Sequence, residues 1–159
     1  LKKGELVVLG ALATLAVLIA GCGGSGGGGG GGGDTTVTLT KAAFIKQGDA
    51  ICKKGNAASG PEIEKFSKEN GFTLEKASED QAEEVVTEVL VPNLQRQTEE
   101  LDALGAPQGD EDEIDALVAS LNQATDELEK DPSKYFEANA LAKPIRLENA
   151  YGFKICGGG

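Results

Sequence analysis

Histidine, tryptophan and methionine are missing from all 159 residues. Without an imidazole there is no His base for a nucleophilic triad and no His ligand for zinc or haem. Aromatics are scarce, with five Phe and two Tyr. Basic residues are outnumbered, 15 against 26 acidic, for a net charge of −11. Such a surface repels phosphates and anionic headgroups, and no basic face interleaved with aromatics is present. Nucleic-acid binding is therefore excluded. Cysteine occurs three times, as Cys22, Cys52 and Cys156, too few soft ligands for a structural zinc site. With no methionine, a chain that begins at Leu1 is expected to be a fragment or the product of an unusual start codon.

Long apolar runs are also lacking, with one short exception. Lys2 and Lys3 precede "LVVLGALATLAVLIAG", Leu6 to Gly21, sixteen uncharged residues. A positive n-region followed by a short apolar h-region reads as a signal peptide. A spanning helix needs about 20 such residues. The alternative is a short uncleaved membrane helix with an incidental cysteine. The order "LIAGC" at Leu18–Cys22 resembles the bacterial lipobox. That resemblance implies diacylglyceryl transfer to the Cys22 thiol and cleavage before it. A thiolate is a good nucleophile for this, and two or three acyl chains anchor stably where one does not.

Gly23 to Gly33 holds ten glycines and Ser25. Such a stretch forms neither helix nor packed strand. The seventeen residues from Gly23 to Leu39 would span about 23 Å on average as a flexible tether. A phosphate-cradling loop would need Gly-Lys-Ser/Thr or G-x-G-x-x-G after a strand, and neither is present. Three regions follow: a signal peptide at 1–21, a lipidated cysteine with linker at 22–39, and an extracytoplasmic head at 40–159. Removing Lys2, Lys3 and Glu5 from the 15 basic and 26 acidic residues leaves 13 and 25, so the mature chain is more acidic still. Its head, roughly 120 residues, is large enough to bury a core.

The head reads as helices throughout. Thr40 sits where an N-cap belongs for a helix from about Leu39 to Ser59. On it Ile45, Gly48 and Cys52 share one face, and Phe44, Gly48, Ile51 and Gly55 an adjoining one. Gly48 costs about 1 kcal/mol relative to Ala in a helix, so it is either tolerated or needed for close approach of a neighbouring helix. Ser59 and Glu62 have capping-box spacing with Pro61 between them, which predicts a restart, ended by Asn70-Gly71. A second box, Ser78 and Gln81, opens a pattern over about Glu79–Leu104. Its stripe is Val86, Leu90, Leu94, Gln97, Leu101 and Leu104, with a kink expected at Pro92. The next helix carries Ile114, Leu117, Val118, Leu121, Thr125 and Leu128, and stops at Asp131-Pro132. The remainder is helical, interrupted at Pro144 and closed by Gly152. The fold class is an all-α bundle of four or five helices.

After Cys22 is consumed by lipid, Cys52 and Cys156 remain as an even pair in an exported chain. One disulfide stapling the C-terminal tail to the first helix is the simplest reading. Free buried thiols, or a redox or metal role, are the alternatives. The acidic run Asp110–Glu113 with Asp115 lacks EF-hand spacing and suits a helix N-terminus better. Ser59, Ser67, Ser78, Ser120 and Ser133 have no His partner and no G-x-S-x-G context, so they read as caps or surface residues. Tyr135, Phe136, Tyr151 and Phe153 cluster near the C-terminus, packing the last segment down or lining a ligand groove. No catalytic, cofactor or metal constellation emerges.

The stretches Leu39–Ala57, Val89–Leu117 and Ala150–Gly158 resemble a group of small uncharacterised actinobacterial lipoproteins. That group shares the layout of lipobox, low-complexity tether and helical head with a cysteine near each end. The resemblance implies attachment to the outer face of the bacterial cytoplasmic membrane and no assigned activity. The expected function is a non-enzymatic binding or envelope-interaction module with an unidentified protein partner. A small-molecule binder with a pocket beside Pro92 or the C-terminal aromatics is the alternative. A carboxylate-dependent hydrolase would need two facing buried carboxylates.

Overall fold

A computed structural model describes residues 39–137 and 139–157, so Cys22, the leader and most of the tether lie outside the described residues. Helix α1, Lys41–Glu69, begins at the expected cap: the Thr40 hydroxyl accepts from the Ala43 N–H at 3.2 Å. It ends at Asn70, with Gly71 taking the left-handed φ of 74° that turns the chain away. The restart expected at Gly60-Pro61 does not occur, and α1 runs through it unbroken. Pro61 forfeits one hydrogen bond to the Ala57 carbonyl. Both residues lie on the exposed side, where water satisfies that carbonyl. Ser59 therefore caps nothing, and its hydroxyl donates to the Gly55 carbonyl instead.

Helix α2 is built from three consecutive segments: Glu79–Val85, a π turn over Val86–Leu90, and Val91–Asp102. The capping box at its start is present in both directions. Pro92 acts through the π turn. The Val91 N–H reaches back five residues to the Val86 carbonyl, which widens the turn that Pro92 would otherwise crowd. One extra residue per turn advances everything after it by about 100° around the axis. Val85, Val86 and Val89 are buried before the π turn; Val91, Asn93, Thr98 and Leu101 are buried after it. Leu90, Leu94 and Gln97, expected in the core stripe, are left half-buried.

Helix α3, Glu111–Lys130, buries Ile114, Leu117, Thr125 and Leu128 on the face that its spacing predicts. A 3-10 turn at Pro132–Phe136 then leads to α4, Ala142–Tyr151. Pro144 does not interrupt α4; it occupies the first turn, where its missing N–H would have had no partner anyway. Gly152, at φ 117°, ends the helix. The architecture is all-α, four helices with no strand among the described residues, closed by a Cys52–Cys156 disulfide. No described helix is long and apolar enough to cross a membrane.

The main core gathers Phe44, Leu101, Ile114, Leu117, Tyr151 and Phe153. Phe44 is fully buried, edge-on to Tyr151 at 5.8 Å and tilted against Phe153 at 6.0 Å. The Tyr151 hydroxyl donates to Asp110 Oδ2 at 2.7 Å, and Lys41 Nζ lies 3.9 Å above its ring. Burial, then the bond to Asp110, raises the Tyr151 phenol above its ordinary range. The acidic run thus joins three helices as well as opening α3. Of the serines expected at caps or the surface, Ser67 and Ser120 are buried. Ser67 donates to the Ile63 carbonyl, and the Ser120 hydroxyl has no partner among the described residues.

Gly48 is required by close approach, though by the C-terminal tail and α2 together. A Cβ there would overlap Phe153 Cε1 and sit 3.0 Å from Leu101 Cδ1. Both neighbours are buried and cannot swing away. Gly55 is also closely approached: its added Cβ would overlap Gln97 Cγ, Cδ and Nε2, and Gln97 is half-buried and hydrogen-bonded to Asn93. Gly48→Ala is expected to destabilise by about 1–2 kcal/mol, the clash exceeding the helix-propensity gain. Gly55→Ala is expected to cost less, because Gln97 can swing away at the loss of its one bond to Asn93, offset by the helix-propensity gain. Parallel urea melts of the two variants measure the contrast.

Candidate functional site

The tail after Gly152 is drawn back onto α1 rather than left loose. Asp49, one turn before Cys52, takes three backbone N–H groups of the tail on its carboxylate. The distances to Oδ1 are 3.0 Å from Lys154, 2.8 Å from Ile155 and 3.4 Å from Cys156. This aligns Cys156 with Cys52, whose Cα atoms are 5.2 Å apart across a sequence separation of 104. The pairing expected from cysteine parity is present, and Asp49 is the guide that sequence reasoning missed. Its signal was weak: one acid among 26.

Above the disulfide lies a partly open cavity of about 240 Å³. Its walls come from every helix. Helix α1 supplies Cys52, Asn56 and Ser59, while α2 supplies Leu90, Asn93, Leu94, Gln97, Thr98 and Leu101. Leu121 and Thr125 of α3 face it, as does Tyr135 of the 3-10 turn. Leu141, Pro144, Ile145 and Glu148 close the α4 side, with Ile155 from the tail. The half-buried stripe residues Leu90 and Leu94, which also pack against the smaller core of Val86, Val91 and Leu128, form a cavity wall with Gln97. Tyr135, one of the candidate groove aromatics, lines the cavity. Tyr151 and Phe153 pack in the core, and Phe136 is 60% exposed.

The polar wall groups are held by one another. Asn93 Nδ2 donates to the Gly55 carbonyl and to Glu62, each at 3.2 Å, and Gln97 Nε2 donates to Asn93 Oδ1 at 2.6 Å. Arg96 secures Glu62 from outside at 3.0 Å. The Thr98 hydroxyl donates to the Leu94 carbonyl, and the Thr125 hydroxyl to that of Asn122. Their oxygens keep lone pairs to offer, since each has used only its proton.

Among the described residues the side chains of Asn56, Tyr135 and Glu148 make no hydrogen bond, and of these three Glu148 is the charged one. It is 5% exposed, it lines the cavity, and among the described residues no hydrogen bond or cation meets its carboxylate. Burial, and secondarily the negative charge of Asp49, push its carboxyl up to about 7. A carboxylate oxygen lies within 4.8 Å of both disulfide sulfurs. These three donors do not fit a metal while the sulfurs are bonded to each other, because thiolates are the ligands that bind zinc or other soft ions. The arrangement also lacks a second carboxylate inside the cavity, as acid–base hydrolysis would need.

Comparison with protein-family models, with curated proteins and with solved structures finds no match to this chain.

Proposed function

We propose that this chain is a lipid-anchored, extracytoplasmic binding module whose helical head takes a small, largely apolar ligand in the cavity between its helices. The single observation that carries the ligand reading is the cavity of about 240 Å³, with leucine walls and a few fixed polar groups. Binding pockets have that composition: mostly apolar surface, with a small number of oriented polar groups. An apolar cavity of roughly 150 Å³ takes benzene, so this one suits a single ring with a short arm. The anchor rests on Lys2 and Lys3, the run Leu6–Gly21, Cys22 and the glycine tract. A cavity walled by all four described helices favours this reading over a protein partner docked on the surface.

The test is a fragment screen by NMR on the full chain in nanodiscs. Single-ring fragments are expected to shift the amides of Leu94, Thr98, Thr125 and Tyr135 together. Leu94→Trp fills the space from within and is expected to abolish those shifts while leaving the melting temperature unchanged or higher. A screen with no hits, or hits unaffected by Leu94→Trp, would remove the ligand reading.

A further inference from the structure

We propose that Glu148 makes this cavity selective for a small organic cation, an ammonium group on an apolar body of about one ring. The inference rests on the ligand reading above and adds the charge of the ligand to it.

A buried carboxylate is expensive unless a partner compensates it. The described residues supply none here. Asn93 and Gln97 are committed to each other and to α1, and the hydroxyls of Thr98 and Thr125 donate to backbone carbonyls. Across the groups that line the cavity, Glu148 is the one charged side chain. Tyr135 is the other titratable group, and the two cysteines are tied up in the disulfide. From α1 the nearest charge is Asp49, which is also negative and is fixed by the tail amides. The cavity therefore holds one acidic group and no base, with the charge of Asp49 behind it. An anion would be repelled by Glu148, and a neutral ligand would leave the penalty on it unrelieved. An ammonium compensates it: burial has already removed part of the carboxylate's hydration, so pairing costs less than at a fully solvated acid. The apolar walls of Leu94, Leu121 and Ile145 and the ring of Tyr135 suit the remainder of such a molecule.

The charge-bearing form of Glu148 is the one that binds. A cation favours the ionised carboxylate, so binding expels any proton held there. Affinity is then full above pH 7 and falls as the pH drops below it, because the competing proton is held with a pKa of about 7.

The experiment uses the full chain and two near-isosteric probes, benzylammonium and benzyl alcohol, followed by calorimetry at pH 8 and pH 5.5. Benzylammonium is expected to bind about tenfold or more tightly than benzyl alcohol at pH 8, with the preference mostly lost at pH 5.5. Near pH 7, titration in buffers of different ionisation enthalpy is expected to show about half a proton released per cation bound. Glu148→Gln keeps the shape and removes the charge. It is expected to lose the cation preference, with its melting curve and the benzyl alcohol shifts at Leu94 and Thr125 reporting that the cavity is intact. Equal affinity of the parent for both probes, or a preference that survives in Glu148→Gln, would overturn the charge assignment alone. Failure of both probes to bind would overturn it together with the ligand reading.

Discussion

Replacing Phe44 by Ala is expected to destabilise the head by about 3–5 kcal/mol, the range for deleting a large aromatic from a packed core. Phe44 has no exposed surface, and the rings of Tyr151 and Phe153 rest on it from the C-terminal segment. The vacancy would be walled by Leu101, Ile114 and Leu117 on two other helices, which are themselves held by α2 and α3 and cannot collapse into it together. Domains of this size have about 5–15 kcal/mol in all, so the variant would retain little margin. Urea denaturation measures the effect, with a midpoint lower by about 2 M. Leu74→Ala serves as control. Leu74 is 53% exposed in a 3-10 turn and is expected to change stability by less than about 0.5 kcal/mol.

Replacing both Cys52 and Cys156 by Ser is expected to cost about 2–4 kcal/mol. The bond closes a loop with a sequence separation of 104, nearly the whole head, and in the chain-entropy account long loops gain most. The native-state loss is smaller than the entropic one. Asp49 would still hold the tail amides, and Phe153, 1% exposed, would still sit against Phe44. The double variant is therefore expected to stay folded at room temperature, with native far-ultraviolet dichroism and a lower urea midpoint. A midpoint equal to that of the parent would mean that the tail contacts alone fix the ends. Treating the parent with a dithiol is expected to reproduce the double variant.

The caps were legible in the residues because they are local chemistry. Thr40, the Ser78/Gln81 pair and Gly152 act within a turn of themselves, and each acts as expected. The buried face of α3 was legible for a related reason: its apolar residues recur at helical spacing without a proline to disturb them. Pro61 and Pro144 were misread because their consequence depends on surroundings. Pro61 is harmless because its orphaned carbonyl faces water, and Pro144 because it falls in a first turn; at Pro92 the helix is disturbed, by a π turn just before it. The cavity was legible in place but not in outline: a pocket beside Pro92 or the C-terminal aromatics was expected, and Leu90, Asn93, Leu94 and Tyr135 line it. Leu90 and Leu94 have the same spacing whether another side chain or an empty space lies opposite, so the extent of its walls could not be read from the stripe. Glu148 could not be chosen among 26 acids for the same reason: its distinction is what surrounds it, not what it is.

The cross-link between Cys52 and Cys156 also has a mechanical meaning. The chain enters the head at Leu39, twelve or so residues before the first bridged cysteine, and from Cys52 to Cys156 it is a covalent ring. A pull applied between the N-terminal side and the tail beyond Cys156 can peel only the opening turns of α1. The load then passes through the sulfur–sulfur bond, and α2, α3 and α4 carry none of it along their length. By the same topology a single protease cut anywhere inside the ring sheds no fragment. The nicked head keeps its mass, and the loss is revealed only when the bond is reduced.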